Sequence, residues 1–258
     1  MTPVLAFDIE TIPDCAGIRR IYGLPDALPD GEAAEVAFQR RRAQTGSDFL
    51  PPHLQRVVAI SCVLREADVL RIFSLGEPEA DEREAIQRFF EGIERYVPQL
   101  VSWNGGGFDL SVLAHRGLAH GVRAAKFWDQ GEDDRDFRFN NYVSRYHGRH
   151  LDLMDVLALY QPRNNAPLDE MAQLAGLPGK IGIGGAAVWG AWRAGRIAEI
   201  RAYCEADAFT TYLLWLRFQR LRGALDEIAY RRECALAREA LGKIASPWAR
   251  EFLARWSG

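Results

Sequence analysis

The sequence predicts an α/β protein with a mixed five-stranded sheet flanked by helices and a largely helical C-terminal part. Short apolar runs come first and are then interleaved with amphipathic segments, which is typical of a sheet covered by helices. The 258 residues, 48% hydrophobic and 26% charged, suffice for a full core. No linker is long enough to separate two units. We therefore expect one domain over residues 1–222, followed by a C-terminal helical extension over residues 223–258.

Each element has a local signal. The apolar run 4–9 predicts a buried strand that ends by Pro13. Residues 13–30 hold three prolines and no clear period, which predicts a loop. A polar helix is expected at about residues 31–44, as an insertion. Apolar or alternating runs predict the remaining strands at 56–64, 68–75, 100–103 and 150–153. Helical spacing predicts the remaining helices at 79–97, 108–120, 168–175 and 199–222.

Composition excludes several classes of protein. No apolar run approaches the ~18 residues of a membrane span, so no membrane partner is expected. The four cysteines include no CxxC pair, and no basic leader precedes the first strand. Together these favour a reducing cytoplasm. The net charge of -3 gives no overall basic excess of the kind that indicates a nucleic-acid partner.

Acidic residues end the first predicted strand. Side chains alternate along a strand, so Asp8 and Glu10 share one face while Ile9 points to the other. Two acids on one face repel each other and need positive charge nearby, which a divalent metal ion supplies directly. The alternative is a salt-bridged strand end, and the pattern favours metal binding over it.

Two further acids fall beside apolar elements. Asp109 follows the turn after the strand at 100–103 and lies in the first turn of a helix. There it could serve the helix dipole alone. Asp207 lies one helical turn after Tyr203, on a stripe with core spacing. Its alternative is an ion pair with Arg201. Glu205 points away from that stripe, and we expect it to be solvated.

Taken in order, these acids resemble a known set of motifs. Asp-x-Glu at residues 8–10, Asn-x-x-x-Phe-Asp at 104–109 and Tyr-x-x-x-Asp at 203–207 resemble the three motifs of the DEDDy exonucleases, which have a ribonuclease H-like fold. The segments 53–61, 148–153, 177–180 and 203–207 resemble the stand-alone bacterial group related to the exonuclease domain of family B DNA polymerases. The resemblance covers residues 4–222.

The resemblance implies a metal-dependent 3′–5′ exonuclease. Two divalent cations, Mg²⁺ or Mn²⁺, would be held by Asp8, Glu10, Asp109 and Asp207. Such ions can stabilise both the attacking and the leaving oxygen of phosphodiester cleavage. Tyr203 would orient the attacking water, because a phenol with a pKa of about 10 is a poor base at neutral pH.

Substrate contacts are expected around these acids. By motif match, Asn104 and Phe108 would touch the terminal nucleotides, although Phe108 could equally be a core residue. Ile9, Thr11 and Ile12 adjoin the first acids and are expected to line the same groove. Lys180, in a glycine-rich loop, is a candidate phosphate contact or a solvated lysine.

For the other polar residues that stand out in the sequence, the signal for a functional role is weaker. Asp152 could support the site from a strand end, whereas Asp155 reads as a surface acid. His147 and His150 lack the further ligand that a metal pair would need. The arginine run 40–42 could meet a phosphate backbone, but such a run is more often a solvated helix face.

The expected substrate is the single-stranded 3′ end of a polynucleotide, with DNA favoured over RNA and nucleoside 5′-monophosphates as products. Any proofreading or DNA repair would require a polymerase or repair partner in trans. The alternatives are a ribonuclease of the same mechanism and a non-catalytic nucleic-acid-binding or polymerase-associated module.

Overall fold

The computed structural model describes residues 2–256. Its five strands form one sheet in the order β3-β2-β1-β4-β5, with helices on both faces. The strands are β1 Val4–Pro13, β2 Gln55–Glu66, β3 Val69–Ser74, β4 Gln99–Ser102 and β5 His150–Asp152. The helices are α1 Cys15–Tyr22, α2 Asp30–Thr45, α3 Glu82–Tyr96, α4 Asp109–His120, α5 Ala125–Trp128, α6 Leu153–Leu157, α7 Leu168–Leu174, α8 Val188–Arg193, α9 Ile197–Leu221, α10 Glu227–Gly242 and α11 Pro247–Arg255.

The sheet is mixed, as predicted. Strand β1 pairs antiparallel with β2 and parallel with β4, and β4 pairs parallel with β5. The carboxyl ends of β1, β4 and β5 therefore meet at one edge of the sheet, where open α/β sheets usually bind their ligands. The segments that follow β4 and β5 begin at this edge.

The two faces of the sheet carry two hydrophobic clusters. Leu5 and Phe7 of β1 pack with α3 and α4 on one face. Val4 and Ala6 pack with the long helix α9 on the other face. By strand alternation, Asp8 belongs to the α9 face, so the end of β1 carries its carboxylate toward that helix.

The C-terminal helices α10 and α11 are packed against α9 and the sheet. Arg65 of β2 makes a buried two-bond ion pair with Glu233 of α10, each N–O distance 2.8 Å. Phe252 of α11 lies 5.1 Å from Phe209 of α9, ring centre to ring centre. Both helices contribute to the same cluster as α9. The division at residue 222 stays a prediction.

The segment between β1 and β2 holds two helices. Residues 13–30 were predicted to be loop, and this is wrong for residues 15–22, which form α1. The Asp14 side chain caps α1 by accepting the N–H of Gly17 at 3.1 Å, and the helix buries Ile18. Helix α2, Asp30–Thr45, matches the predicted insertion closely.

None of the helices in residues 2–256 is long and apolar enough to cross a membrane. All four cysteines are free thiols, and three of them are buried.

Candidate active site

Three carboxylates converge where β1 meets α9. Oxygens of Asp8, Glu10 and Asp207 all lie within 4.8 Å of one another. Asp8 and Glu10 come from alternate positions of β1, and Asp207 comes from the middle of α9. Cys204 lies just under one turn before Asp207 on α9. Its thiol donates to the Asp8 carbonyl oxygen at 3.3 Å and so links the helix to the strand. The sequence prediction that these acids meet is consistent with this geometry.

Asp109 approaches the cluster from the first turn of α4. It is 6% exposed and accepts the backbone N–H of Ile9 as well as its own. Its negative charge raises the pKa of both Asp8 and Glu10, so it lies within electrostatic range of the other acids. Asp109 is therefore the fourth acid of the site, although its oxygens are not part of the 4.8 Å group.

Burial and mutual repulsion disfavour charge at this site. Burial is the larger cause, and neighbouring carboxylates add to it, so the pKa values of Asp8 and Glu10 lie well above their usual range. Burial likewise raises the pKa of Asp109 and of Asp207 to about 7. Lys180 lowers the pKa of Glu10 and Asp207, but one ammonium does not balance four carboxylates.

This donor set fits divalent cations. The four acids offer hard oxygen ligands, which suit Mg²⁺ or Mn²⁺ and not soft metals. Their raised pKa values show that the ionised site needs more positive charge than the neighbouring side chains supply. Asp8, Glu10 and Asp207, with Asp109 beside them, are accordingly the residues that could hold metal.

Tyr203 lies one turn before Asp207 on α9, and its hydroxyl donates a hydrogen bond to the Asp207 carboxylate. Burial and the surrounding acids raise the pKa of the phenol well above its usual range. The residue is thus a neutral hydrogen-bonding group at every ordinary pH. Gly182 lies beside Tyr203 and has a φ of +92°. A Cβ added to this glycine would come within 3.4 Å of the Tyr203 Cβ.

Asp152 organises the turn between β4 and α4. Its carboxylate accepts the backbone N–H groups of Asn104 and Gly106, both at 2.9 Å. Asn104 has a φ of +67°, and a Cβ at Gly105 would come within 2.3 Å of the Ser102 hydroxyl. The turn therefore requires glycine and an external acceptor. This role of Asp152 had only a weak signal in the sequence, because the strand end and the turn are 46 residues apart.

The other predicted substrate residues lie at different depths. Ile9 is 5% exposed and packs with the α3–α4 face, while its N–H serves Asp109. Ile12 is 2% exposed and packs under α8 and α9. Thr11 and Phe108 are half-buried. Contact of any of these residues with substrate stays a prediction, and burial leaves little of the two isoleucine side chains for it.

Lys180 is exposed in the loop that follows α7. It lines a cavity of about 340 Å³ together with Tyr203, Asp207 and Asp169. The Asp169 carboxylate accepts the backbone N–H of Lys180, which ties the middle of the glycine-rich loop (residues 176–185) to α7. The lysine is thus placed beside the acids, as a phosphate contact would require.

Several other polar residues form hydrogen bonds or ion pairs with partners outside the group of four acids. Arg201 donates to the Gly76 carbonyl at 2.8 Å and is not the partner of Asp207. The expectation that Glu205 is solvated is wrong, because it accepts hydrogen bonds from Ser74 at 2.7 Å and from Trp248 at 3.0 Å. The remaining residues pair locally: Asp155 with Arg145, His150 with Ser102, and His147 with the N–H of Asn141.

Comparison with known proteins places the chain in a family. Residues 47–256 match a family described as predicted 3′–5′ exonucleases related to the exonuclease domain of PolB. The matched range includes Asp109, Tyr203 and Asp207 and begins after Asp8 and Glu10. No curated protein matches the chain.

Among solved structures, the chain is similar to the family B DNA polymerase of the hyperthermophilic archaeon Pyrobaculum calidifontis. The two are 18% identical, with a TM-score of 0.48 over 82% of this chain and 24% of the polymerase. The chain therefore spans about a quarter of that polymerase.

The family match covers well over half of the 258 residues. It confirms the resemblance seen in the sequence, and the mixed five-stranded sheet agrees with the ribonuclease H-like fold of that group. The chain belongs to the family of predicted 3′–5′ exonucleases related to the exonuclease domain of PolB.

Proposed function

We propose that this protein is a metal-dependent 3′–5′ exonuclease that hydrolyses single-stranded polynucleotide ends, DNA in preference to RNA. The observation that carries the proposal is the convergence of Asp8, Glu10 and Asp207 within 4.8 Å, with buried Asp109 beside them. Four carboxylates that are buried or half-buried, without matching cations, are costly in a protein that has no use for them. Metal binding gives them one.

Asp8, Glu10, Asp109 and Asp207 would hold two divalent cations, Mg²⁺ or Mn²⁺. When bound, such ions neutralise charge at the attacking and leaving oxygens of an in-line displacement. The carboxylates fix the position of that charge on rigid elements, because two of them lie on a central strand and one on a long buried helix.

Tyr203 orients the attacking water. Its phenol is held against Asp207 and stays protonated, so it can position a water by hydrogen bonding but cannot remove a proton from it. The assignment of Tyr203 to the DEDDy set rests on this position one turn before Asp207. Lys180, whose charge lowers the pKa of Glu10 and Asp207, would contact the phosphate of the terminal nucleotide.

The turn after β4 would receive the last nucleotides. Asn104 lies in that turn with its backbone fixed by Asp152, and Phe108 lies between the turn and Asp109. We assign the protein to the cytoplasm because its thiols are unpaired. Any role in repair or proofreading would come through a polymerase or repair partner in trans.

The proposal is tested with oligonucleotides labelled at the 5′ or the 3′ end, incubated with purified protein and Mg²⁺. Release of labelled mononucleotide from the 3′ end, and a shortening ladder from the 5′ label, is the expected result. Matched DNA and RNA strands measure the sugar preference. Asp8→Ala and Asp207→Ala should each lower the rate at least 1000-fold, since ligands of one centre act as a unit.

Asp68→Asn is the matched control, because Asp68 is an exposed acid paired with Arg232 far from the cluster. It should retain the wild-type rate. Equal activity of wild type and both alanine variants would show a contaminating nuclease and overturn the proposal. Binding of oligonucleotide without cleavage in Mg²⁺ or Mn²⁺ would identify a non-catalytic module instead.

A further inference from the structure

The segment between β1 and β2 forms a distinct unit, which we call the insert (residues 14–54). It has its own small hydrophobic cluster, made of Cys15, Ile18, Ala33, Ala34, Ala37, Leu50 and Leu54. Its two ends are joined by the N–H of Asp14, which donates to the Leu54 carbonyl at 2.8 Å. Since the insert follows Pro13 at the carboxyl end of β1, a short way beyond Glu10, it lies at the same edge of the sheet as the acids.

The arginine run of α2 holds the end of the insert in place. Arg41 donates to the Phe49 carbonyl at 3.1 Å, and Arg42 pairs with Asp48 at 3.4 Å. Arg40 lies over the Tyr22 ring at 4.2 Å. The sequence left open whether this run meets phosphate or is a solvated face. In the structure each of the three arginines has a partner within the insert, and two of them fix the loop after α2.

This fixed loop presents one aromatic ring to solvent. Phe49 is 59% exposed, whereas the next residue, Leu50, is 2% exposed and belongs to the insert's cluster. The Phe49 ring lies 5.1 Å from the Phe108 ring, centre to centre, at an angle of 48°. Phe108 directly precedes Asp109. The two rings therefore form a half-exposed aromatic pair that adjoins Asp109, the fourth acid of the site, along the chain.

We propose that Phe49, with Phe108, forms a stacking platform for an unpaired nucleobase close to the 3′ end of the strand. Every base has a π-face, so an exposed ring held in a fixed position grips single strands without reading their sequence. The ligand class is an unpaired nucleobase, and the inference rests on the proposed exonuclease function. It assigns a use to a residue that no motif in the sequence singled out.

The test compares Phe49→Ala, Phe49→Trp and Leu118→Ala with the wild type. Leu118 is an equally apolar residue, 84% exposed, about 14 Å along α4 from Asp109 at ~1.5 Å per residue. Affinity is measured by fluorescence anisotropy of a labelled single strand in Ca²⁺, and KM and kcat are measured in Mg²⁺. Thermal unfolding of each variant verifies the fold.

Phe49→Ala should weaken binding and raise KM by about 5- to 150-fold, the range for one lost base–aromatic stack. Its kcat and melting temperature should stay near those of the wild type. Phe49→Trp should restore binding, and Leu118→Ala should leave it unchanged. The second readout uses strands that each carry a single abasic site. When the missing base is the one that stacks, the wild type should bind the abasic strand more weakly than the intact strand. The alanine variant, which has already lost the stack, should bind both strands equally.

Two failures are distinguishable. If the wild type degrades the strand but Phe49→Ala binds equally well, the platform is refuted while the exonuclease function stands. The platform is also refuted if alanine lowers binding and melting temperature together and tryptophan does not restore binding. If the wild type neither binds nor degrades any strand, the proposed function fails and the platform fails with it.

Discussion

Replacing Asp207 by Asn is expected to make the metal-free protein more stable while abolishing its activity. Burial raises the pKa of Asp207 from 3.8 to about 7, so the ionised carboxylate is held in the native state at a cost. Asparagine has nearly the same shape and can still accept the hydrogen bond from Tyr203, but it carries no charge. The substitution removes the cost and keeps most of the packing.

The magnitude follows from the pKa difference. A rise of about three units corresponds to about 4 kcal/mol at ~1.36 kcal/mol per unit. Asp207 is half-buried by its side-chain exposure and shares its field with three other acids, so the realised gain is about 1–3 kcal/mol. For a chain of this length that is roughly 2–10 °C in melting temperature.

The pH dependence has a definite sign. A carboxyl whose pKa is higher in the folded than in the unfolded protein favours the folded state when protonated. Asp207 therefore contributes most to the stability of the metal-free wild type below its ordinary pKa of 3.8, and this contribution is lost as pH rises toward about 7. The asparagine variant lacks this part of the slope, so its advantage grows over the same interval.

The assay is urea unfolding in EDTA at several pH values, repeated with Mg²⁺. Bound metal stabilises the wild type by mass action and should close or reverse the gap with the variant. Asp68→Asn, at an exposed acid, should match the wild type throughout. A variant less stable than wild type in EDTA at neutral pH, or an advantage that does not depend on pH, would refute the reasoning.

Three other substitutions have defined outcomes. Arg116→Met should destabilise the protein by about 3–5 kcal/mol in urea unfolding, because buried Glu82 loses the guanidinium 2.6 Å away and keeps only His120 and the Val57 N–H as partners. Arg88→Ala, at an exposed pair, should change stability by less than ~1 kcal/mol. Asp152→Ala should lower kcat/KM at least tenfold in oligonucleotide digestion, since two backbone N–H groups of the turn beside Asp109 lose their acceptor. Glu233→Leu should lower the melting temperature by several degrees, because Arg65 is 4% exposed and would be left unpaired.

The sequence predicts well those features that depend on local patterns. Strand alternation places Asp8 and Glu10 on one face, and helical spacing places Tyr203 and Asp207 on one side of α9. The apolar runs predict all five strands within a few residues of their bounds. Such patterns are set by the geometry of a single element, and one chain is enough to reveal them.

Features that depend on contacts between distant segments are missed. Asp152 bonds to backbone groups about 46 residues earlier, and Glu205 finds Ser74 across 131 residues. Phe49 is one of thirteen phenylalanines until the fold sets it beside Phe108. Helix α1 is missed for a related reason: it is short, and its stability comes from the insert's cluster and not from its own propensity.

The separate cluster of seven buried side chains inside the insert bears on how this protein can diverge. A change of volume in a packed interior is felt first by its immediate neighbours, and distant sites respond nearly independently. Mutations of these seven side chains can therefore reshape the loop of the insert without moving β1 and α9, which carry three of the four acids. The cleavage chemistry and the surface of the insert can then evolve at different rates.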